Sequence, residues 1–140
     1  PGRLTIEVTE SVFSVDETFI RDSLTELRSH GVRVALDDFG IGSSSINNLR
    51  AFPIDQLKID RSFARTMMES KRDADLVDII LKLGHTFQVT TTVEGIECES
   101  QLDFIRERGA SEAQGYLISA PVAASDVVRF LAQPENRLSA

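Results

Sequence analysis

Val34-Ala35-Leu36-Asp37-Asp38-Phe39-Gly40 is the stretch from which this chain is best read. An apolar, β-favouring run enters it, two adjacent carboxylates end the run, and a loop rich in glycine and serine leaves it. Neighbouring carboxylates at a strand end repel each other, so folding alone gives little reason to place them there. A divalent cation gives one, because it needs several oxygen ligands on one side. A helix N-cap aspartate beside a solvated one fits the pair equally well, and the pair alone does not choose between the two.

The same unit recurs on both sides. Upstream, Leu4 to Thr9 alternates and is β-branched, which predicts a strand. Ser14 and Glu17 have capping-box spacing, and Phe19, Ile20, Leu24 and Leu27 form a helical apolar face that Gly31 ends. Val32 to Leu36 is the second strand. After the Phe39–Ser45 loop come a short helix with Ile46 and Leu49, and a third strand over Ile54 to Ile59. Ser62 to Ser70 reads as one short helix and Asp73 to Phe87 as a longer one, with Leu76, Ile79, Ile80 and Leu83 inward. Val89 to Val93 is a fourth strand ending in Glu94-Gly95, Glu99 to Arg108 is helical, and Ala113 to Ile118 is a fifth strand. A last helix spans Asp126 to Leu131, and Gln133 to Ala140 reads as a loose tail after a domain over 1–132.

Strand and helix alternate, and the strands look too apolar for burial on one side only. This predicts an α/β fold with about five parallel strands covered by helices. The chain has 140 residues and is 41% hydrophobic, enough for a real core. Fifteen basic against twenty-two acidic residues give a net charge of −7, which argues against gripping a DNA or RNA polymer. A small phosphorylated ligand stays open, because a bound metal reverses the local field. The single cysteine, Cys98, rules out an internal disulfide and a cysteine-based zinc cluster. There is no apolar run of ~18 residues and no signal peptide, so a cytoplasmic location is expected, with any membrane anchor elsewhere in a parent protein. The start at Pro1, without Met and directly before a strand, reads as a cut inside a longer protein.

Polar residues fall at the same place in each unit. Glu7 is late in the first strand, Asp37 and Asp38 end the second, and Lys58 lies near the end of the third. Glu94 ends the fourth and Gln114 lies in the fifth. Each has an ordinary explanation on its own: an outward edge residue, a simple ion pair, a turn cap, a backbone contact. Parallel α/β sheets and barrels, however, bring the carboxyl ends of their strands to one rim, where active sites are built. Buried charges there are costly unless paired or metal-bound. The set suits phosphodiester hydrolysis, with two cations holding a phosphate and Lys58 orienting water or stabilising charge. His30 and His85 fall at helix ends and are expected to be structural.

Five stretches carry a resemblance. Glu7-Val8-Thr9-Glu10-Ser11, Asp37-Asp38-Phe39-Gly40-Ile41-Gly42, Leu57-Lys58-Ile59-Asp60-Arg61-Ser62-Phe63, Val93-Glu94-Gly95-Ile96-Glu97 and Gln114-Gly115-Tyr116-Leu117 resemble, in order, the later motifs of the EAL domain. The resemblance runs from Leu4 to about Pro121. It implies the C-terminal portion of a domain that hydrolyses cyclic di-GMP to linear pGpG with Mg²⁺ or Mn²⁺ on a modified TIM-type (β/α) barrel. By matching position, Glu7, Asp37, Asp38 and Glu94 are implied as metal ligands, with Lys58 and Glu94 catalytic. Gln114, Asp60 and Glu97 are implied as supporting residues, and Glu10 as the residue that steadies the loop after the paired aspartates. The resemblance also implies a homodimer and is compatible with an upstream sensor or diguanylate cyclase domain.

The family's opening half is absent from this sequence, including its Glu-Ala-Leu strand. A whole barrel needs about 250 residues, so the chain is expected to form a partial barrel that is inactive alone or associates through its open edges. Ile41 and Ser43 stand where the family usually has Thr and Tyr, and Ile118 and Ala120 where Phe and Arg are common. The alternative to an enzyme is therefore a degenerate EAL domain that senses cyclic di-GMP or binds partner proteins without cleaving the nucleotide.

Overall fold

In a computed structural model, residues 2–14, 16–41 and 46–132 are described. The loop expected to run on through Ser43 to Ser45 and the tail expected over Gln133–Ala140 lie outside them. Five strands, β1 (Thr5–Thr9), β2 (Arg33–Phe39), β3 (Gln56–Ile59), β4 (Thr90–Glu94) and β5 (Glu112–Gln114), form one all-parallel sheet in the order β1-β2-β3-β4-β5. Helices α1 (Glu17–Ser29), α2 (Ile46–Ala51), α3 (Arg61–Thr66), α4 (Lys71–Phe87), α5 (Glu99–Glu107) and α6 (Ala124–Leu131) fall between and after them. Strands in sequential order with helical crossovers make the open arc of a (β/α) barrel, so the partial TIM-type barrel is the observed fold.

Beyond the first strand, whose alternation is expected, β3 and β4 also alternate between a polar and an apolar face. Register pairs place Glu7 beside Ala35, Gln56 beside Thr90, Lys58 beside Thr92, and Glu94 beside Gln114 on one face. That face, the inside of the arc, is largely polar. The other face carries Val34, Leu36, Leu57, Ile59 and Val93, all completely buried, packed with Leu24, Val77, Ile80, Leu81, Leu102 and Ile105 of the helices. The core therefore lies between the outer face and the helices. The strands read as continuous apolar runs because the inward polar residues cluster towards their ends.

Several element boundaries shift for local reasons. Asp16, not Ser14, caps α1: its backbone is extended and its carboxylate accepts from the Phe19 amide at 3.0 Å. The helix expected over Ser62–Ser70 stops at Thr66, and Ser70 instead caps α4, accepting from the Asp73 amide at 3.3 Å. On α4 the buried stripe is Val77, Ile80, Leu81 and Gly84, at i, i+3, i+4 and i+7, which turns Ile79 outward to 53% exposure. Phe19, expected inward on α1, is likewise exposed. The fifth strand ends at Gln114 rather than Ile118. There the chain turns, because Gly115 packs onto the Ile96 peptide: a Cβ on Gly115 would lie 2.1 Å from the Ile96 carbonyl oxygen.

At the amino ends of the strands, Asp55 joins four elements. Its carboxylate accepts from the Val34 amide at 2.9 Å and from Arg28 Nε and Nη2 at 3.1 and 2.6 Å. Its backbone carbonyl accepts from the Thr90 amide at 3.0 Å. Asp55→Ala removes the acceptor of a buried amide and is expected to lower unfolding stability by about 2 kcal/mol, measured by urea denaturation. Because Asp55 lies at the end of the strands opposite the rim, ligand binding is expected to be unchanged once the protein is folded.

Candidate functional site

The rim at the carboxyl ends of β1 to β5 is organised by Lys58. Its side chain is only 8% exposed, and its Nζ lies 2.7 Å from Glu7 Oε1, 2.7 Å from Glu94 Oε1 and 3.2 Å from Asp37 Oδ1. Alternation explains the meeting: Glu7, Asp37, Lys58 and Glu94 all point to the inner face of strands that are hydrogen-bonded neighbours. Burial alone would pull the lysine pKa down. The hydrogen bonds that Lys58 donates to Glu7 and Glu94, the nearby Asp37 carboxylate and the charge of Glu94 outweigh it and hold the ammonium above the ordinary lysine range. Lys58 is thus held in its charged form at neutral pH.

Asp37 and Asp38 reach the rim together through a bulge. β2 advances three residues from Leu36 to Phe39 while β3 advances two from Leu57 to Ile59. The extra residue breaks the alternation. Asp38 takes up the irregularity at φ 54°, a left-handed conformation that costs a non-glycine side chain free energy. As a result Asp37 faces Lys58, while Asp38 lines two adjoining clefts. The smaller, of about 220 Å³, is formed by Asp37 and Asp38 with Thr9, Glu10, Ser11 and Ile41. The larger, of about 450 Å³, is lined by Asp38, Asp60, Arg61, Glu94, Gly95, Glu97, Gln114, Gly115 and Tyr116.

The supporting residues separate by task. Gln114 sits beside Glu94 on the neighbouring strand. Asp60 is the N-cap of α3 and accepts from the Ser62 amide at 2.7 Å. Burial pushes its carboxyl up, but the bonds from Ser62 and the adjacent Arg61 hold it below the usual carboxylate range. Glu97 is exposed on the loop after β4. Glu10 opens a 3₁₀ turn, Glu10–Ser14, directly after β1. Two lining residues had not been assigned a role from the sequence. Among the described residues lining the larger cleft, Arg61 is the one basic group, and Tyr116 is 70% exposed there. The signal for both was position: each stands within a quoted motif, two residues past a strand's carboxyl end.

The expected metal ligands are not arranged as a ready-made cage. Among the described residues, no three His, Cys, Asp or Glu side chains are grouped to hold a metal ion. The physical reason is Lys58, whose ammonium stands where three of the four expected ligands converge. The donor set nevertheless fits a hard cation, being carboxylate oxygen throughout. Asp37 Oδ1 supplies the sharpest observation. It is buried and 3.2 Å from Nζ, yet it makes no hydrogen bond. The contact is electrostatic, so this oxygen is a buried acceptor at the rim with its hydrogen-bonding capacity unused.

The EAL domain family model matches residues 1–121. The cyclic di-GMP phosphodiesterase NbdA of Pseudomonas aeruginosa is 38% identical over 130 residues, 91% of this chain and 16% of that protein. The bifunctional diguanylate cyclase/cyclic di-GMP phosphodiesterase MucR of the same organism is 36% identical over 132 residues, 94% of this chain and 19% of that protein. A solved MucR phosphodiesterase in complex with c-di-GMP superposes with a TM-score of 0.84 at 36% identity, covering 91% of this chain and 51% of that one. BlrP1 of Klebsiella pneumoniae, solved as a manganese/cyclic di-GMP complex, gives a TM-score of 0.79 at 30% identity, covering 86% of this chain and 31% of that one. The chain spans 19% or less of the length of the curated relatives it matches. On the motifs at the strand ends, the barrel arc they sit on, and this match over most of its length, the chain belongs to the EAL domain family.

Proposed function

We propose that the protein carrying this chain is a cyclic di-GMP phosphodiesterase that opens the cyclic dinucleotide to linear pGpG, and that the chain supplies the C-terminal part of the active site. The observation that carries the proposal is the convergence of Glu7, Asp37 and Glu94 on Lys58, with Asp38 and Gln114 beside them. Two divalent cations, Mg²⁺ or Mn²⁺, supply Lewis-acid polarisation of the phosphodiester and a lowered pKa for the attacking water. Glu7, Asp37, Asp38 and Glu94 would hold them, Asp37 through its unbonded Oδ1.

The chain's own groups then divide the work. Lys58 carries its charge at neutral pH, which suits it to act as a donor, orienting the water or stabilising negative charge on the phosphorane. A carboxylate must take the proton, and Glu94, in contact with Lys58, is placed to do so. Gln114 offers a neutral amide beside Glu94, and Arg61 offers positive charge to a phosphate in the larger cleft. Glu10, Asp60 and Glu97 shape the surrounding loops and turns. A homodimer, and an upstream sensor or diguanylate cyclase domain, complete the proposed parent protein. Ile41 favours a second reading. It places a half-exposed apolar side chain on the smaller cleft beside the paired aspartates, which suits a domain that binds cyclic di-GMP or a protein without cleaving the nucleotide.

In the full-length protein with Mg²⁺ or Mn²⁺, cyclic di-GMP is expected to be converted to pGpG, and a chelator is expected to abolish the reaction reversibly. Glu94→Gln and Asp37→Asn are each expected to lower kcat by at least about 100-fold, followed by chromatography of the nucleotides. Calorimetric binding of cyclic di-GMP with no pGpG, in protein with metal bound, would instead establish the sensor.

Lys58 adds a pH signature. Its folded pKa lies above the ordinary value of 10.5, so its stabilising contribution is complete below that value. The contribution disappears as pH rises through the folded pKa. Lys58→Met is expected to cost about 3 kcal/mol at neutral pH, because three carboxylates lose their cation. The wild type's loss of stability above pH 10.5 is expected to shrink in the variant, measured by denaturation across pH.

A further inference from the structure

The loop after β4 leaves the strand at Glu94 and carries Glu97 near its end, and it is braced on two sides. On the β5 side, the Ile96 amide donates to the Gln114 carbonyl at 3.1 Å and the Leu117 amide to the Ile96 carbonyl at 3.0 Å. On the α3 side the brace is one residue, Gln101. Its side chain is 9% exposed, and its Nε2 donates to the Ala64 carbonyl of α3 at 2.8 Å. Its Oε1 accepts from the Glu97 amide at 2.7 Å and from the Cys98 amide at 3.2 Å. Gly95 closes the same junction at φ 74°, where a Cβ would lie 2.5 Å from Arg61 Cβ.

We propose that Gln101 is a positioning residue of the active site: its one amide ties the loop bearing Glu94 and Glu97 to the helix that begins at Asp60, and so sets the width of the larger cleft. The inference rests on the phosphodiesterase reading above. The choice of amide carries the argument. A glutamate three residues into α5 would accept from the Cys98 amide and cap the helix just as well. Only an amide also donates to Ala64, and a carboxylate there would face a carbonyl oxygen and be repelled. Gln101 therefore satisfies more than helix capping requires, and the surplus bond runs to the element that carries Asp60 and Arg61. Misplacement of a catalytic carboxylate by a fraction of an ångström to an ångström is enough to slow chemistry strongly.

The test uses the full-length protein and three variants. Gln101→Glu keeps the cap and loses the tie to α3, Gln101→Ala loses both, and Ile105→Val removes one buried methyl group from the same helix. Gln101→Glu and Gln101→Ala are expected to lower kcat by about tenfold or more, with KM changed far less, while Ile105→Val keeps wild-type kcat. Gln101→Ala is also expected to speed hydrogen exchange at the Glu97 and Cys98 amides by about tenfold or more, with no such change in Ile105→Val. Wild-type kcat in Gln101→Glu would overturn the inference and leave Gln101 as a helix cap. A wild-type protein that holds metal but makes no pGpG would overturn the phosphodiesterase reading instead. Binding then replaces turnover: cyclic di-GMP affinity lowered about tenfold in Gln101→Glu but not in Ile105→Val supports the tie, and unchanged affinity overturns it.

Discussion

Lys58 holds a full positive charge in a side chain that is almost out of water, and three carboxylates from three strands meet it there. Neither half of this arrangement is tolerable without the other. A buried ammonium with no partner would be driven to lose its proton, and three carboxylates converging at one rim would repel one another. Together they close a charge network that crosses β1, β2, β3 and β4. The arc places these strands side by side in sequential order, so four residues far apart in sequence become one cluster. The network leaves a net negative rim with oxygen donors to spare, which is the character a divalent cation and a phosphodiester require of a protein.

Around that centre the backbone supplies what the strands alone cannot. A regular strand would turn Asp37 and Asp38 to opposite faces, and the bulge in β2 instead brings both to the rim. The loop after β4 would be free to drift, yet Gly95 lets it pack against Arg61, and Gly115, just past β5, packs against its Ile96 with no side chain between. The opposite end of the sheet is held by the ordinary bonds of Asp55, and the apolar outer face by helix packing.

Much of this is legible in the sequence. Strand and helix order, and the strand-end placement of Glu7, Asp37, Asp38, Lys58 and Glu94, follow from periodicity and from the rule that parallel strands end at one rim. Three features are not. Asp16 rather than Ser14 caps α1 because two candidate caps stand close together, and only backbone conformation separates them. The helical face of α4 was displaced by about one residue, since Ile79 and Ile80 are chemically alike and only packing selects the buried one. Lys58 as the hub of the carboxylates, rather than a neighbour of a metal cage, depends on distances between strands that no local pattern encodes. The same holds for Gln101, whose partners on α3 lie 37 residues away in sequence.

The central claim is that Lys58 and the rim carboxylates are one energetically coupled unit. A double-mutant cycle on unfolding free energy, with Lys58→Met, Glu94→Gln and the double variant in metal-free protein, tests it most directly. The predicted result is a coupling of about 2 kcal/mol or more, because Lys58→Met leaves the rim carboxylates without their cation and Glu94→Gln takes from Lys58 one of its two 2.7 Å partners. Additivity within about 0.5 kcal/mol would contradict the account and leave the 2.7 Å contact as proximity without interaction.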